Sequence, residues 1–219
     1  MPTTTLSRSQ FETACKLFIE KSPTTSGKGW TWAEHASVQS LGYMSRRATL
    51  FSRPNCGSEE EGDVFEAFDA TMQDGLSDDA TLAVSAISTL NCRQYVVYSS
   101  TFQVPAFYFT IHESSGSPLR LVDIVRTSLF RTGVLPKSDA SSFALSSPDS
   151  AFPLLSQGDH PTLGTPSWYF HPCETGPAVG EIMAEVSVEG WSEEQRLVRW
   201  MEAWFMVLGT VVDLRTHML

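Results

Sequence analysis

The residues in this chain best placed to do chemistry are Phe170-His171-Pro172-Cys173-Glu174-Thr175, which follow the aromatic pair Trp168-Tyr169. Proline fixes its own φ and lacks an amide donor, so an apolar strand running into Pro172 stops there. Cys173 is then presented at the mouth of the fold, with the imidazole of His171 two residues upstream. A thiol placed this way is a candidate nucleophile. The competing reading is a packing cysteine, since free cysteine is among the most buried residue types. Other chemistries find less support. His160, His171 and Cys173 are three imaginable metal ligands, but no second Cys pair or spaced His pair completes a set, and no metal is expected. A papain-type arrangement needs an early cysteine and a histidine well downstream, whereas Cys173 is late and only His217 follows it. No Gly-rich phosphate loop or dinucleotide fingerprint is present, so no nucleotide cofactor is expected either.

The composition bounds the partners. The chain has 219 residues, 42% hydrophobic and 18% charged, which suits one globular domain with a proper core. Its net charge of −10 argues against nucleic acid or an anionic membrane surface as the main partner. The first residues carry no basic segment leading into an apolar run, so no signal peptide is expected. The most apolar stretch, residues 203–212, is too short to span a bilayer, and no stable membrane insertion is expected. Cys15, Cys56, Cys92 and Cys173 are far apart, with no Cys-x-x-Cys pair. That pattern suits a reducing compartment, and the expected location is cytoplasmic.

The elements that must position Cys173 follow from periodicity. Phe11, Ala14, Cys15 and Phe18 mark a helix over residues 9–21, with Ser9 as N-cap and Pro23 and Gly27 beyond its end. Trp30 and Trp32 alternate with polar residues, and residues 42–51 have strand character. Residues 53–80 are acidic, with Arg53 their single counter-charge; a solvated loop is favoured there over a site for a basic partner. Residues 94–98 and 104–111 are the clearest strands. Residues 114–118 form a turn, and Leu121, Ile124, Val125 and Leu129 mark a short helix. Residues 136–157, rich in Ser and Pro, read as a long, partly disordered connection. The stretch from Glu174 to Gly190 reads as irregular. Ser192-Glu193-Glu194-Gln195 is a capping box opening a helix whose apolar face carries Leu197, Trp200, Met201, Trp204, Phe205 and Leu208, closed by Gly209. The order suits an α+β fold with helices covering one face of an antiparallel sheet.

Four ordered blocks carry a resemblance. They are Tyr95-Val96-Val97-Tyr98-Ser99-Ser100 leading into residues 103–109, Pro118-Leu119 followed by Asp123-Ile124, His160-Pro161-Thr162-Leu163-Gly164, and His171-Pro172-Cys173-Glu174-Thr175. Together, over about residues 90–175, they resemble the autophagy-specific ubiquitin-like conjugating enzymes. The resemblance implies a ubiquitin-conjugating-enzyme-like fold, one domain over residues 1–219, with long insertions at about 53–80 and 136–157. It makes Cys173 the residue that carries the modifier as a glycyl thioester. One branch of the family transfers its modifier to phosphatidylethanolamine. The other passes autophagy-related protein 12 to a lysine of autophagy-related protein 5. The first helix carries Glu12, Lys16, Glu20 and Lys21 rather than a membrane-binding face, and the acidic segment is short, which favours the protein-transfer branch.

The partners so implied are the activating enzyme autophagy-related protein 7, the modifier autophagy-related protein 12 and the target autophagy-related protein 5. The chain lacks the His-Pro-Asn tripeptide of ordinary ubiquitin-conjugating enzymes, whose asparagine supports the oxyanion. His171 is the first candidate for that role and Tyr98 the second; ring packing and a satisfied core hydroxyl are the alternatives. Residues 104–109 are a candidate sheet edge for strand addition by a partner. Rival functions are an interaction module with an inactive cysteine and a hydrolase acting through Cys173.

Overall fold

The fold is described from a computed structural model, over residues 4–21, 29–35, 37, 38, 40–53, 89–134, 144, 145 and 154–215. The central strands are buried on both faces where they are most apolar, as over residues 94–98 of the third strand in chain order, and the larger core is built on one of those faces. In chain order the elements are α1 (Arg8–Lys21), β1 (Thr31–Ala33), β2 (Tyr43–Phe51), β3 (Thr89–Ser99) and β4 (Val104–His112). Then follow α2 (Leu121–Ile124), β5 (Ala144–Leu145), β6 (Leu155–Asp159), β7 (Pro166–Phe170), α3 (Thr175–Val186) and α4 (Glu193–Leu208). The strands form one antiparallel sheet in the order β1-β2-β3-β4-β7-β6-β5. The α+β expectation of an antiparallel sheet with flanking helices holds.

Register decides which side chains meet. Met44 and Leu50 on β2 face Val96 and Leu90 on β3, and Val96 in turn faces Phe107 on β4. These residues, with Phe109 and Ile111, form the main core with α1, α3 and α4. Phe18 of α1 stacks on Phe205 of α4 at 4.6 Å, and Trp200 and Met201 are almost completely buried. The other face carries a smaller aromatic cluster of Tyr43, Tyr95 and Val97, with Tyr108 against it. Among the described residues one charged side chain enters the core. Arg46 on β2 donates through Nε to Oε1 of Gln94 at 2.6 Å and through a terminal nitrogen to the Leu214 carbonyl at 3.2 Å. Its guanidinium lies 4.6 Å above the Trp30 ring, and burial pulls its pKa down to about 10.

Several expectations are corrected. Helix α1 begins at Arg8, and its cap is Ser7 rather than Ser9: the Ser7 hydroxyl accepts from the Gln10 amide at 3.2 Å while Gln10 Oε1 accepts from the Ser7 amide at 2.9 Å. Helix α2 ends at Ile124 because the chain beyond it turns back to β2, where the Ser128 amide donates to the Phe51 carbonyl and Ser52 bridges Thr127. Within the stretch 136–157, expected as a long, partly disordered connection, the described residues include β5 and the first three residues of β6. Leu145 and Leu155, both buried, anchor them.

The stretch 174–190 contains helix α3, with Val179 and Met183 buried. Gly176, Pro177 and Gly180 disguise it, although proline is well tolerated in a helix's first turn. Strand β4 is no free edge. It lies between β3 and β7, paired with β3 along its length and with β7 at Tyr108 and Phe109. The capping box of α4 forms as expected, with Ser192 and Gln195 bonded reciprocally. The acidic segment beyond Arg53, together with Cys56 and His217, lies outside the described residues. Arg53 itself donates to the Phe130 carbonyl at 2.6 Å.

Candidate active site

Strand β7 delivers the candidate nucleophile. Trp168 and Phe170 belong to the core side, while Tyr169 faces the opposite way and stacks on Tyr108 at 5.0 Å. The His171 amide donates to the Leu154 carbonyl at 3.1 Å, the last pairing before Pro172. Pro172 is buried, Cys173 is half-buried, and the Thr175 amide reaches back to the Pro172 carbonyl at 3.2 Å as α3 begins. Cys173 therefore sits in the two-residue turn between a strand that cannot continue and the N-terminus of a helix.

The other described cysteines differ sharply. Cys15 is fully buried, and burial pushes its thiol pKa well up, with Glu12 adding to the effect. Cys92 is buried in the sheet core, and burial pushes its pKa to about 12 although Gln94 and Arg46 oppose the shift. Neither can act as a thiolate near neutral pH. Cys173 is the one thiol among the described residues that solvent reaches.

The structure places the other candidate residues apart. The His171 ring packs edge-on against Phe102 at 5.3 Å and lines an open cavity of about 290 Å³ with Phe102, Ala106, Tyr108, Asp159 and Pro172. Tyr98 lies in the main core, tilted against Phe11 at 5.6 Å and beneath the Arg8 guanidinium at 4.8 Å. Its hydroxyl donates to the Leu6 carbonyl at 2.8 Å, which commits its proton, and it does not line the His171 cavity.

His160 is completely buried. Its Nδ1 accepts the amides of Thr162 and Leu163, each at 3.1 Å, and its ring meets Tyr43, Tyr95 and Tyr108 at 4.9, 4.7 and 5.7 Å. With Nδ1 accepting, the neutral ring carries its proton on Nε2. Burial lowers its pKa to about 4. His160 thus pins the β6–β7 turn, which also closes through Gly164 at φ +63°. Among the described residues no three His, Cys, Asp or Glu side chains come together as a metal site. None of the described helices is long and apolar enough to cross a membrane.

Residues 10–218 match the model of a family described as autophagocytosis-associated protein, active-site domain. The chain belongs to this family. Three relatives carry the name ubiquitin-like-conjugating enzyme ATG10. The Arabidopsis thaliana protein is 31% identical over 121 residues, covering 55% of this chain and 48% of the relative. The Homo sapiens protein is 26% identical over 211 residues, covering 93% of this chain and 87% of the relative. The Dictyostelium discoideum protein is 26% identical over 124 residues, covering 55% and 49%. The match thus spans about half the length of two of these relatives and most of the third. Family and relatives together support an ATG10-like ubiquitin-like conjugating enzyme of autophagy.

The surroundings of His171, in a cavity that Cys173 does not line, are what the sequence leaves unannounced. Phe102, Asp159 and Tyr169 join the His171 cavity from three separate elements, and no local signal announces them.

Proposed function

We propose that this chain, over residues 1–219 as one ubiquitin-conjugating-like domain, is a ubiquitin-like protein transferase of autophagy. It accepts autophagy-related protein 12 from the activating enzyme autophagy-related protein 7 and passes it to a lysine of autophagy-related protein 5. The observation that carries this reading is the accessible Cys173 between β7 and α3, inside the matched active-site domain. The Cys173 thiolate attacks the thioester carbonyl on the activating enzyme, the tetrahedral intermediate collapses, and the enzyme's thiolate leaves. The modifier's terminal glycine is then a thioester on Cys173. A neutral lysine amine attacks that carbonyl, loses a proton, and expels the Cys173 thiolate, leaving an isopeptide bond. Thiolate is a good leaving group, so positioning and oxyanion support are the main demands on the fold.

His171 is the proposed oxyanion or orienting group, from its place two residues before Cys173. Tyr98, its proton given to Leu6, is assigned to holding the fold rather than the oxyanion. The setting proposed is the cytoplasm.

A chase of the charged protein tests the acceptor. Charged on Cys173, it is offered both the protein target and phosphatidylethanolamine liposomes. Transfer to a lysine of the target supports the reading. Transfer to the lipid replaces it with the lipid branch, and release to water alone replaces it with a hydrolase.

A further inference from the structure

The segment ahead of α1 is tied to the active-site region at several points. The Leu6 amide donates to the Gln103 carbonyl in the β3–β4 turn at 2.8 Å, and the Leu6 carbonyl accepts from Tyr98 at 2.8 Å. The Leu6 side chain is buried in the core. Thr4, two residues earlier and exposed, lies against α3 where that helix has no side chains. A Cβ on Gly180 would come within 2.6 Å of Thr4 Cγ2, and one on Gly176 within 3.2 Å of the Thr4 carbonyl oxygen. Gly176 and Gly180 are four residues apart and so share a helix face. Glycine is a poor helix former, and two within the first turns of α3 are explained by this close approach. Cys173 lies three residues before Gly176. The turn between them is closed by Thr175 and Ala178 amides donating to the Pro172 and Glu174 carbonyls, each at 3.2 Å.

We propose that the arm of residues 4–6 is a strap that positions Cys173: Thr4, seated on Gly176 and Gly180, holds the start of α3 and with it the thiol. Thr4 is a positioning residue. The inference rests on Cys173 carrying the modifier. Its consequence is that the rate of acyl transfer depends on an exposed residue far from Cys173 in sequence, because reacting groups displaced by a fraction of an ångström lose much of their effective concentration.

A size-switch cycle tests it. Gly180→Ala improves helix propensity but sets a methyl 2.6 Å from Thr4 Cγ2, so a purely structural contact predicts changed stability with an unchanged transfer rate. The strap predicts single-turnover transfer slowed on the order of tenfold, because the new methyl displaces Thr4 and α3 from each other. Thr4→Gly, a change at an exposed position that leaves the fold intact, empties the contact and slows transfer as well. The double variant Thr4→Gly/Gly180→Ala restores a methyl between arm and helix and recovers the rate. In both single variants alkylation of Cys173 by iodoacetamide and KM for the charged activating enzyme stay at wild-type values while kcat falls, and in the double variant kcat returns to the wild-type value with them. Single variants at wild-type rate, or a double variant as slow as the slower single, overturn the strap. A wild-type protein that never accepts the modifier on Cys173 overturns instead the functional reading beneath it, and this is seen before any variant is compared.

Discussion

Replacing Arg46 by methionine isolates what a buried guanidinium does for this sheet. Arg46 is 5% exposed and Gln94 only 1%, and their 2.6 Å hydrogen bond lies wholly inside the core. Methionine keeps much of the volume and removes the burden of burying a charge, the same burden that pulls the arginine's pKa down to about 10. It cannot donate. Gln94 Oε1 and the Leu214 carbonyl each lose a donor, and a stranded buried acceptor costs about 1–3 kcal/mol. Relief of desolvation offsets part of that sum, leaving a net loss of about 2–4 kcal/mol. For a chain of this size each kcal/mol shifts the thermal midpoint by about 2–4 °C, so the drop is on the order of 10 °C. Changing Gln94 to methionine in the same chain removes the stranded acceptor and recovers at least about 1 kcal/mol. Urea and thermal melts of wild type, both single variants and the double variant complete the cycle. An Arg46→Met variant within about 0.5 kcal/mol of wild type, or a double variant no better than that single, refutes the reasoning.

Further outcomes follow from the same contacts. His160 has a folded pKa of about 4 against an ordinary 6.5, so between those values the unfolded chain binds the extra proton. The stability from keeping its ring neutral is complete above pH 6.5 and is lost as pH falls toward 4. Over that interval wild type should lose on the order of 2 kcal/mol more than His160→Gln, read from denaturant melts; parallel losses contradict the assignment. Ser192→Ala, which breaks the α4 capping box, should destabilise by about 1 kcal/mol without touching the transfer rate. His171→Ala should still accept the modifier but hand it on more slowly, by about 10²-fold if it supports the oxyanion. An unchanged rate of lysine attack removes His171 from the chemistry.

The legible parts of this protein are those whose signals are local. Helix α4 declares itself through its capping box and wide apolar face, β3 and β4 through β-branched and aromatic runs, and Cys173 through the proline that must end β7. Helix α3 stays hidden because Gly176 and Gly180 read as breakers until Thr4 is seen against them. Strands β5 and β6 are masked by Ser and Pro, since the burial of Leu145 and Leu155 depends on pairing that no short window displays. Tyr98 looks like a group available to the site, yet its hydroxyl partner, Leu6, lies at the other end of the N-terminal half. His160 gives no local sign of its packing role because its ring of tyrosines is assembled from three strands. Pairwise chemistry between distant segments is what separates the sequence reading from the site.

Loading of Cys173 tests the central claim most directly. Wild type and Cys173→Ser are incubated with activating enzyme, modifier and ATP, then separated without and with reducing agent. Wild type should form a thiol-sensitive adduct of one modifier, and Cys173→Ser either no adduct or a thiol-resistant ester. A wild-type chain that forms no adduct beside demonstrably active partners, or a thiol-sensitive adduct that persists in Cys173→Ser, contradicts that claim.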